Sequence, residues 1–130
     1  MSGPTMKQLT LAEFRADLKA QNAPSREDAA FICPMCGVIQ SARDLIAAGA
    51  GADFDAVEKY IGFSCVGRFT GALSPRREPD GKPCNWTLGG LFRMHKLEVI
   101  TEDGKAHPHF ELASPEAAAA HAAMWQERAA

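Results

Sequence analysis

The sequence predicts an α+β domain in which helices pack against a small antiparallel sheet that carries a zinc knuckle or ribbon. Three observations support this fold class: amphipathic helical patterns in the N-terminal half, an Asp-Gly turn between two strand-like segments, and a Cys-Pro-Met-Cys-Gly motif. With 130 residues, the chain is expected to form one domain spanning residues 1–130.

The first predicted helix begins at Thr10. Thr10 and Glu13 have the spacing of a capping box, and apolar residues follow at helical intervals, so we expect the helix to end near Ala20. A stretch rich in turn-forming residues comes next, so that an N-terminal helix and turn occupy residues 1–28. A short apolar strand around Phe31 then leads into the first pair of cysteines.

Two more helices are predicted before residue 63. Ser41 and Asp44 have the spacing of a helix N-terminus, and the apolar run after them stops at Gly49, where helices commonly end. A further helix is expected from Asp53, with its apolar side chains on one side, and it should end at Gly62.

The C-terminal third combines a hairpin with a final helix. From Leu91 the pattern favours strand, and Asp103-Gly104 is the signal of a tight turn between residues 96–100 and a second strand near Phe110. Pro108 should place the second strand at a sheet edge, because proline donates no backbone hydrogen bond. The last helix is predicted from a Ser-Pro start at residues 114 and 115, followed by a run of alanines.

Composition and charge exclude some classes of protein. Hydrophobic residues make up 46% of the chain and charged residues 23%, which is ordinary for a globular protein. The N-terminus does not resemble a secretory signal, and no apolar run is long enough to span a membrane, so we expect a cytoplasmic protein with no membrane partner. In that reducing compartment, four cysteines are better explained by a metal than by disulfides.

Four cysteines, Cys33, Cys36, Cys65 and Cys84, are the predicted ligands of one structural zinc ion. In the CPxCG motif, two residues between the thiolates let both sulfurs reach one ion, while the glycine after them allows a tight turn. The other two cysteines lie 19 positions apart, so the fold must bring them together. A site with histidine in place of one cysteine, using His95, His107 or His109, and buried thiols without metal are the alternatives.

A second metal site is conceivable on the predicted edge strand. Strand alternation would put His107, His109 and Glu111 on one face, and two imidazoles with a carboxylate suit a catalytic metal. The structural alternative is that these polar residues form the solvated face of the strand. A closed four-thiolate site has no open position for a reacting water, so we expect no enzyme and no small-molecule substrate.

The middle of the chain is basic and points to a nucleic-acid partner. Residues 66–96 contain six Lys or Arg against two Asp or Glu, and residues 72–83 form a predicted exposed basic loop. Basic and aromatic side chains together suit phosphate contact and base stacking. The residues predicted to bind nucleic acid or another partner are Arg68, Arg76, Arg77, Lys82, Trp86, Arg93 and Lys96.

Three segments carry a resemblance to a known family. They are residues 60–68 (YIGFSCVGR), residues 84–92 (CNWTLGGLF) and residues 107–112 (HPHFEL). With the cysteines, they resemble a family of small four-cysteine proteins of bacteriophages and prophages with no established activity. The resemblance implies an accessory protein that acts in the bacterial cytoplasm, in DNA transactions, in host takeover or in blocking host defence. Among these, the basic and aromatic residues of the middle segment favour contact with nucleic acid or a nucleoprotein complex. A protein-directed inhibitor of host machinery or host defence, such as an anti-CRISPR or anti-restriction protein, is the alternative.

Overall fold

The structure is a computed structural model that describes residues 7–75, 81–88 and 95–129. The strands in these ranges are β1 (Lys7–Thr10), β2 (Ala30–Ile32), β3 (Ile39–Ser41), β4 (Leu97–Ile100), β5 (Ala106–His109) and β6 (Glu111–Leu112). The α-helices are α1 (Leu11–Ala20), α2 (Ala42–Ala47), α3 (Phe54–Val57) and α4 (Pro115–Ala129). Short 3₁₀-helices span Arg26–Asp28, Glu58–Tyr60 and Val66–Phe69.

The strands form two three-stranded sheets, which confirms the α+β class. One sheet has the order β1-β4-β5, with β1 parallel to β4 and β4 antiparallel to β5. The other has the order β3-β2-β6 and is antiparallel throughout. The sequence predicted only one antiparallel sheet. It gave no indication of β1, because this strand is polar and largely exposed and therefore shows no buried alternation.

Most of the predicted elements are confirmed. The capping box of α1 forms as expected: Thr10 Oγ1 accepts from the Glu13 N–H at 3.1 Å, and Glu13 Oε1 accepts from the Thr10 N–H at 2.9 Å. The hairpin of β4 and β5 has Pro108 on an edge strand. The Ser114 hydroxyl caps α4 by accepting from Ala117 N–H at 3.1 Å.

The helix predicted from Asp53 is shorter than expected. Asp53 caps it by accepting from the Ala56 N–H at 2.9 Å, but α3 has only four residues and continues as a 3₁₀-helix. The chain then turns at Gly62, where φ is +67°, and the carbonyl of Tyr60 accepts from the N–H groups of both Phe63 and Ser64. This turn directs the chain towards Cys65.

Two polar side-chain contacts join helices to the rest of the domain. Gln21, which is 3% exposed, donates from Nε2 to the carbonyls of Ala30 at 2.8 Å and Ala113 at 2.9 Å. Its Oε1 accepts from the Ala30 N–H at 3.0 Å, so one side chain joins the end of α1 to β2 and to the segment before α4. His121 of α4 lies 2.6 Å from Asp44 of α2, which fixes the last helix to the domain.

The main hydrophobic cluster contains the four cysteines. Phe31, Leu88 and Phe110 are buried with them, and partly buried side chains of α1 pack against the cluster. The predicted metal site therefore lies inside the core and not at an exposed loop tip.

Candidate metal centre

Four buried sulfurs meet in the core. The Sγ atoms of all four cysteines lie within 4.8 Å of one another, and each residue is at most 5% exposed. The Sγ atoms of Cys33 and Cys84 are 3.8 Å apart, and those of Cys36 and Cys65 are 3.7 Å apart. The two halves of the predicted site, which are distant in the sequence, are therefore together in the fold.

The sulfur spacing fits a tetrahedral ion. With metal–sulfur bonds of about 2.3 Å, a regular tetrahedron separates its sulfurs by about 3.8 Å. The pairs Cys33–Cys84 and Cys36–Cys65 have this separation, and the other four pairs are no more than 4.8 Å apart, whereas the sulfurs of a disulfide lie about 2.05 Å apart. The four side chains can therefore hold one metal ion as they stand.

The knuckle positions the first two ligands. Gly37 has φ +75°, and its N–H donates to the Cys33 carbonyl at 2.9 Å. The Cys33 N–H donates in turn to the Val38 carbonyl at 3.2 Å, which places the knuckle at the turn between β2 and β3. Glycine is suited to this turn because it adopts a left-handed backbone without a steric penalty.

A short antiparallel ladder positions the other two ligands. The Cys65 N–H donates to the Trp86 carbonyl at 2.9 Å, and the Leu88 N–H donates to the Phe63 carbonyl at 2.9 Å. Ser64 and Thr87 form a bridge between these contacts, and their hydroxyl oxygens are 2.7 Å apart. The ladder brings Cys65 and Cys84 to the same ion, although no CxxC motif joins them.

The electrostatics of the site favour a cation. Burial raises the pKa of Cys84 to about 12. Hydrogen bonding with Cys36 raises the pKa of Cys33, while hydrogen bonds from Cys33 and Cys36 lower the pKa of Cys65. Because thiolates are the ligand form of cysteine, a divalent cation would displace the remaining thiol protons and neutralise the buried negative charge.

Gln40 is a residue of the site that the sequence analysis missed. It is 3% exposed, donates from Nε2 to the Cys65 Sγ at 3.5 Å, and accepts at Oε1 from the Val66 N–H at 2.7 Å. It orients one thiolate and the backbone after it. A polar residue between Ile39 and Ser41 was the only signal, and it became meaningful only once β3 was known.

We expect Gln40→Met to weaken metal binding by about tenfold or more, because partners that orient metal ligands typically contribute 10- to 100-fold to affinity. Competition with a chromophoric zinc chelator would measure the effect. Gln8→Met is a matched control, since Gln8 is exposed on β1 and its amide donates to Glu98 at 3.2 Å, away from the cysteines. Equal metal affinity in the two variants would contradict the role given to Gln40.

The histidine site considered as an alternative on the edge strand does not assemble in the described residues. His109 is enclosed by Phe14 and Phe31, with ring centroids 4.8 and 5.4 Å away, and its Nδ1 lies 2.7 Å from the Phe110 carbonyl. His107 Nε2 lies 3.3 Å from the Thr101 hydroxyl. Glu111 belongs to the other sheet, because the chain passes from β5 to β6 at Phe110.

His95 is also outside the cysteine cluster. His95 lies two residues before β4, and its Nε2 is 3.1 Å from Oε2 of Glu98 on that strand. Among the described residues, the four cysteines are the one group of three or more His, Cys, Asp or Glu placed to share an ion.

The residues predicted to bind a partner lie in different parts of the structure. Arg68 is exposed and donates from Nη1 to the Asn85 carbonyl at 3.1 Å, while Trp86 stacks on Phe110 with centroids 5.9 Å apart. Both therefore lie beside the metal ligands. Lys82 is exposed just before Cys84, and Lys96 is exposed next to β4. The other three predicted binding residues, Arg76, Arg77 and Arg93, lie outside the described ranges. The strand predicted from Leu91 also begins outside them.

The described part of the chain has no helix that is both long and apolar enough to cross a membrane.

No curated protein and no solved structure is significantly similar to the chain. A family model does match it, over residues 10–113, which include the four cysteines, the knuckle and the ladder. The chain thus belongs to the VVA0879-like family.

Proposed function

We propose that this protein is a non-catalytic binding module, held together by one structural zinc ion, that contacts nucleic acid through the surface beside the metal centre. The observation that carries the proposal is the closed set of four buried sulfurs at tetrahedral spacing. Such a set leaves no coordination position for a reacting water, so the ion stabilises the fold instead of acting on a substrate. Tetrahedral all-sulfur sites bind zinc or iron, and the CPxCG knuckle favours zinc.

The metal holds the proposed contact surface in place. Arg68 lies on the 3₁₀-helix that begins directly after Cys65, and its guanidinium is bonded to the residue that follows Cys84. One exposed cation is thus fixed by both ligand segments. Lys82 precedes Cys84, and Phe63, which is 42% exposed, lies on the same ladder. Cations for phosphates beside an exposed ring for base stacking are the means by which proteins bind single strands.

We expect binding to a single-stranded oligonucleotide to fall steeply with salt and to weaken several-fold in the Arg68→Glu, Lys82→Glu variant. Each lost phosphate contact should also reduce the slope of log affinity against log salt by about 0.7. Fluorescence anisotropy at a series of salt concentrations measures both quantities.

The control for this experiment is Lys105→Glu, which reverses an exposed cation in the turn between β4 and β5. It should bind as the wild-type chain does. Binding that ignores salt, or that falls equally in the control, would argue against a phosphate-contacting surface at Arg68.

A protein-directed inhibitor of host machinery or host defence is the second candidate, and exposed apolar side chains favour it. Leu73 is 76% exposed, and its carbonyl accepts from the Asn85 N–H at 3.1 Å, so it lies beside Arg68. An exposed leucine next to a cation is more typical of a protein contact than of a phosphate contact. Pull-down from bacterial lysate should then yield one stoichiometric partner. The Leu73→Ser variant should lose this partner, whereas the Arg68→Glu, Lys82→Glu variant, which binds the oligonucleotide weakly, should retain it.

The biological setting is part of the same proposal. The resemblance to proteins of bacteriophages and prophages supports an accessory role in the cytoplasm of a bacterial host. Genes adjacent to this one would discriminate between the two candidates, because replication genes favour nucleic acid and defence genes favour a protein target.

A further inference from the structure

A second site lies in a cavity of about 780 Å³ that Phe31 and His109 help to line. The cavity lies between α1, the segment after it, and the region of α3. Its size is within the 300 to 1,000 Å³ that is usual for small-molecule sites, and most of its lining is apolar. The helix α1 has no fully buried residue, so its apolar face, which carries Phe14 and Leu18, is left as a wall of this cavity.

His109 supplies a hydrogen-bond acceptor at the cavity. Its Nδ1 is 2.7 Å from the Phe110 carbonyl, which can only accept, so Nδ1 carries the proton and Nε2 has the free lone pair. None of the described residues hydrogen-bonds Nε2, and no enclosed side-chain nitrogen or oxygen in the described part lacks a partner. His109 is one of the residues that line the cavity, and Nε2 is the acceptor that its ring offers to a ligand there.

The His109 ring is fixed and neutral. A Cβ built on Gly62 would lie 2.1 Å from the His109 Cε1, so the ring occupies the space that a side chain at residue 62 would need. Phe14 and Phe31 pack against it from other directions. Burial lowers the pKa of His109, which keeps the acceptor unprotonated near neutral pH.

Cations surround the cavity. Arg15 and Lys19 are exposed one turn apart on α1, and the guanidinium of Arg26 lies over the Phe54 ring at 4.2 Å from its centroid. Glu58 is the one carboxylate among the lining residues described. Arg26 is also paired with Glu27 at 3.4 Å and with Asp55 at 3.8 Å, so Arg15 and Lys19 are the cations that face a ligand in the cavity. The cavity thus combines aromatic walls, one acceptor and two exposed cations on α1.

We infer that this cavity binds a flat heteroaromatic ring that bears an N–H donor and an anionic group, the chemistry of a purine nucleoside monophosphate. The ring would pack between the aromatic walls and donate to His109 Nε2, while the phosphate would reach Arg15 and Lys19. This site is distinct from the metal centre and from the Arg68 surface, and it does not depend on the function proposed for them.

Calorimetric titration of the full-length, zinc-loaded protein with AMP, GMP and adenosine tests the inference. We expect a nucleotide to bind at millimolar concentrations or below, and to bind at least tenfold more weakly to Arg15→Glu, Lys19→Glu. Adenosine should be insensitive to that change because it has no phosphate. His109→Phe keeps an aromatic ring and removes the acceptor, so it should weaken both AMP and adenosine.

Two controls separate this site from the rest of the molecule. Lys105→Glu, which reverses an exposed cation away from the cavity lining, should bind the nucleotide as the wild-type chain does. Zinc content and circular dichroism would establish that His109→Phe is folded, and the α1 variant tests the site even if it is not. No binding of either nucleotide, or equal binding by the α1 variant, would overturn the inference.

Discussion

Cys84→Ser should leave the chain largely unfolded at 25 °C. Cys84 is fully buried, and its sulfur lies 3.8 Å from that of Cys33 within the four-sulfur cluster. Metal binding at structural zinc sites contributes on the order of 10 kcal/mol or more to folding, while a domain of this size is stable by only about 5 to 15 kcal/mol. Circular dichroism and urea titration would measure the loss.

Chelation of the wild-type protein provides the companion experiment. Excess chelator should unfold it, and added zinc should restore it, whereas zinc should not restore Cys84→Ser. A reducing agent alone should have no effect, because the sulfurs are spaced for an ion and not for a disulfide. A folded protein that contains no metal, or that unfolds on reduction without chelator, would show that the cluster is not a metal site.

Gly67→Ala is expected to have the second largest effect. A Cβ at residue 67 would lie 2.3 Å from the carbonyl oxygen of Cys84 and 3.0 Å from its carbonyl carbon. Backbone atoms cannot rotate away as a side chain can, so the segment that carries Cys84 must move. We expect a loss of stability of about 3 kcal/mol, the upper part of the range for overpacked sites, together with weaker metal binding.

Gly71→Ala is the matched control for that prediction. Gly71 has φ +77°, so alanine there is strained, but its Cβ would meet no atom within 4 Å. It should therefore cost about 1 to 2 kcal/mol and leave metal affinity unchanged. Urea unfolding and chelator competition on both variants would measure the difference, and equal losses would mean that the contact at Gly67 does not constrain the metal site.

The metal centre and the cavity share a support. Phe31 is buried in the cluster that contains the four cysteines, and it also packs against His109 at the cavity. Because Phe31 lies on β2 two residues before the first candidate ligand, Cys33, an ion at the cysteines should stabilise one wall of the cavity as well. Metal content should therefore be matched before nucleotide affinities of variants are compared.

Local patterns were enough to predict several elements. Three of these patterns involve contacts between residues only three or four positions apart. They are the capping box at Thr10, the turn at Asp103-Gly104 and the Ser-Pro start of α4. The knuckle from Cys33 to Gly37 is of the same kind. Such contacts depend on the identities of neighbouring residues, so they can be recognised from the sequence directly.

Other features depend on residues far apart in the chain. The strand β1 was missed because its partner β4 begins about 90 positions later, and nothing in its own polar sequence indicates pairing. Gln40 was missed because its role is defined by Cys65, which is 25 positions away. The predicted grouping of His107 with Glu111 assumed one continuous strand, whereas the chain changes sheets between them.

The sequence by itself determined the α+β class, the four candidate ligands and the knuckle that holds the first two. Only the tertiary structure decided that Cys65 and Cys84 reach the same point, because the ladder between residues 63–65 and 86–88 is a backbone pairing that no local motif encodes. The tertiary structure also decided the surroundings of His109. The sequence offered this residue only as an alternative ligand, whereas in the fold it is a neutral acceptor that lines a cavity, because Gly62 leaves room for its ring and burial disfavours its charge.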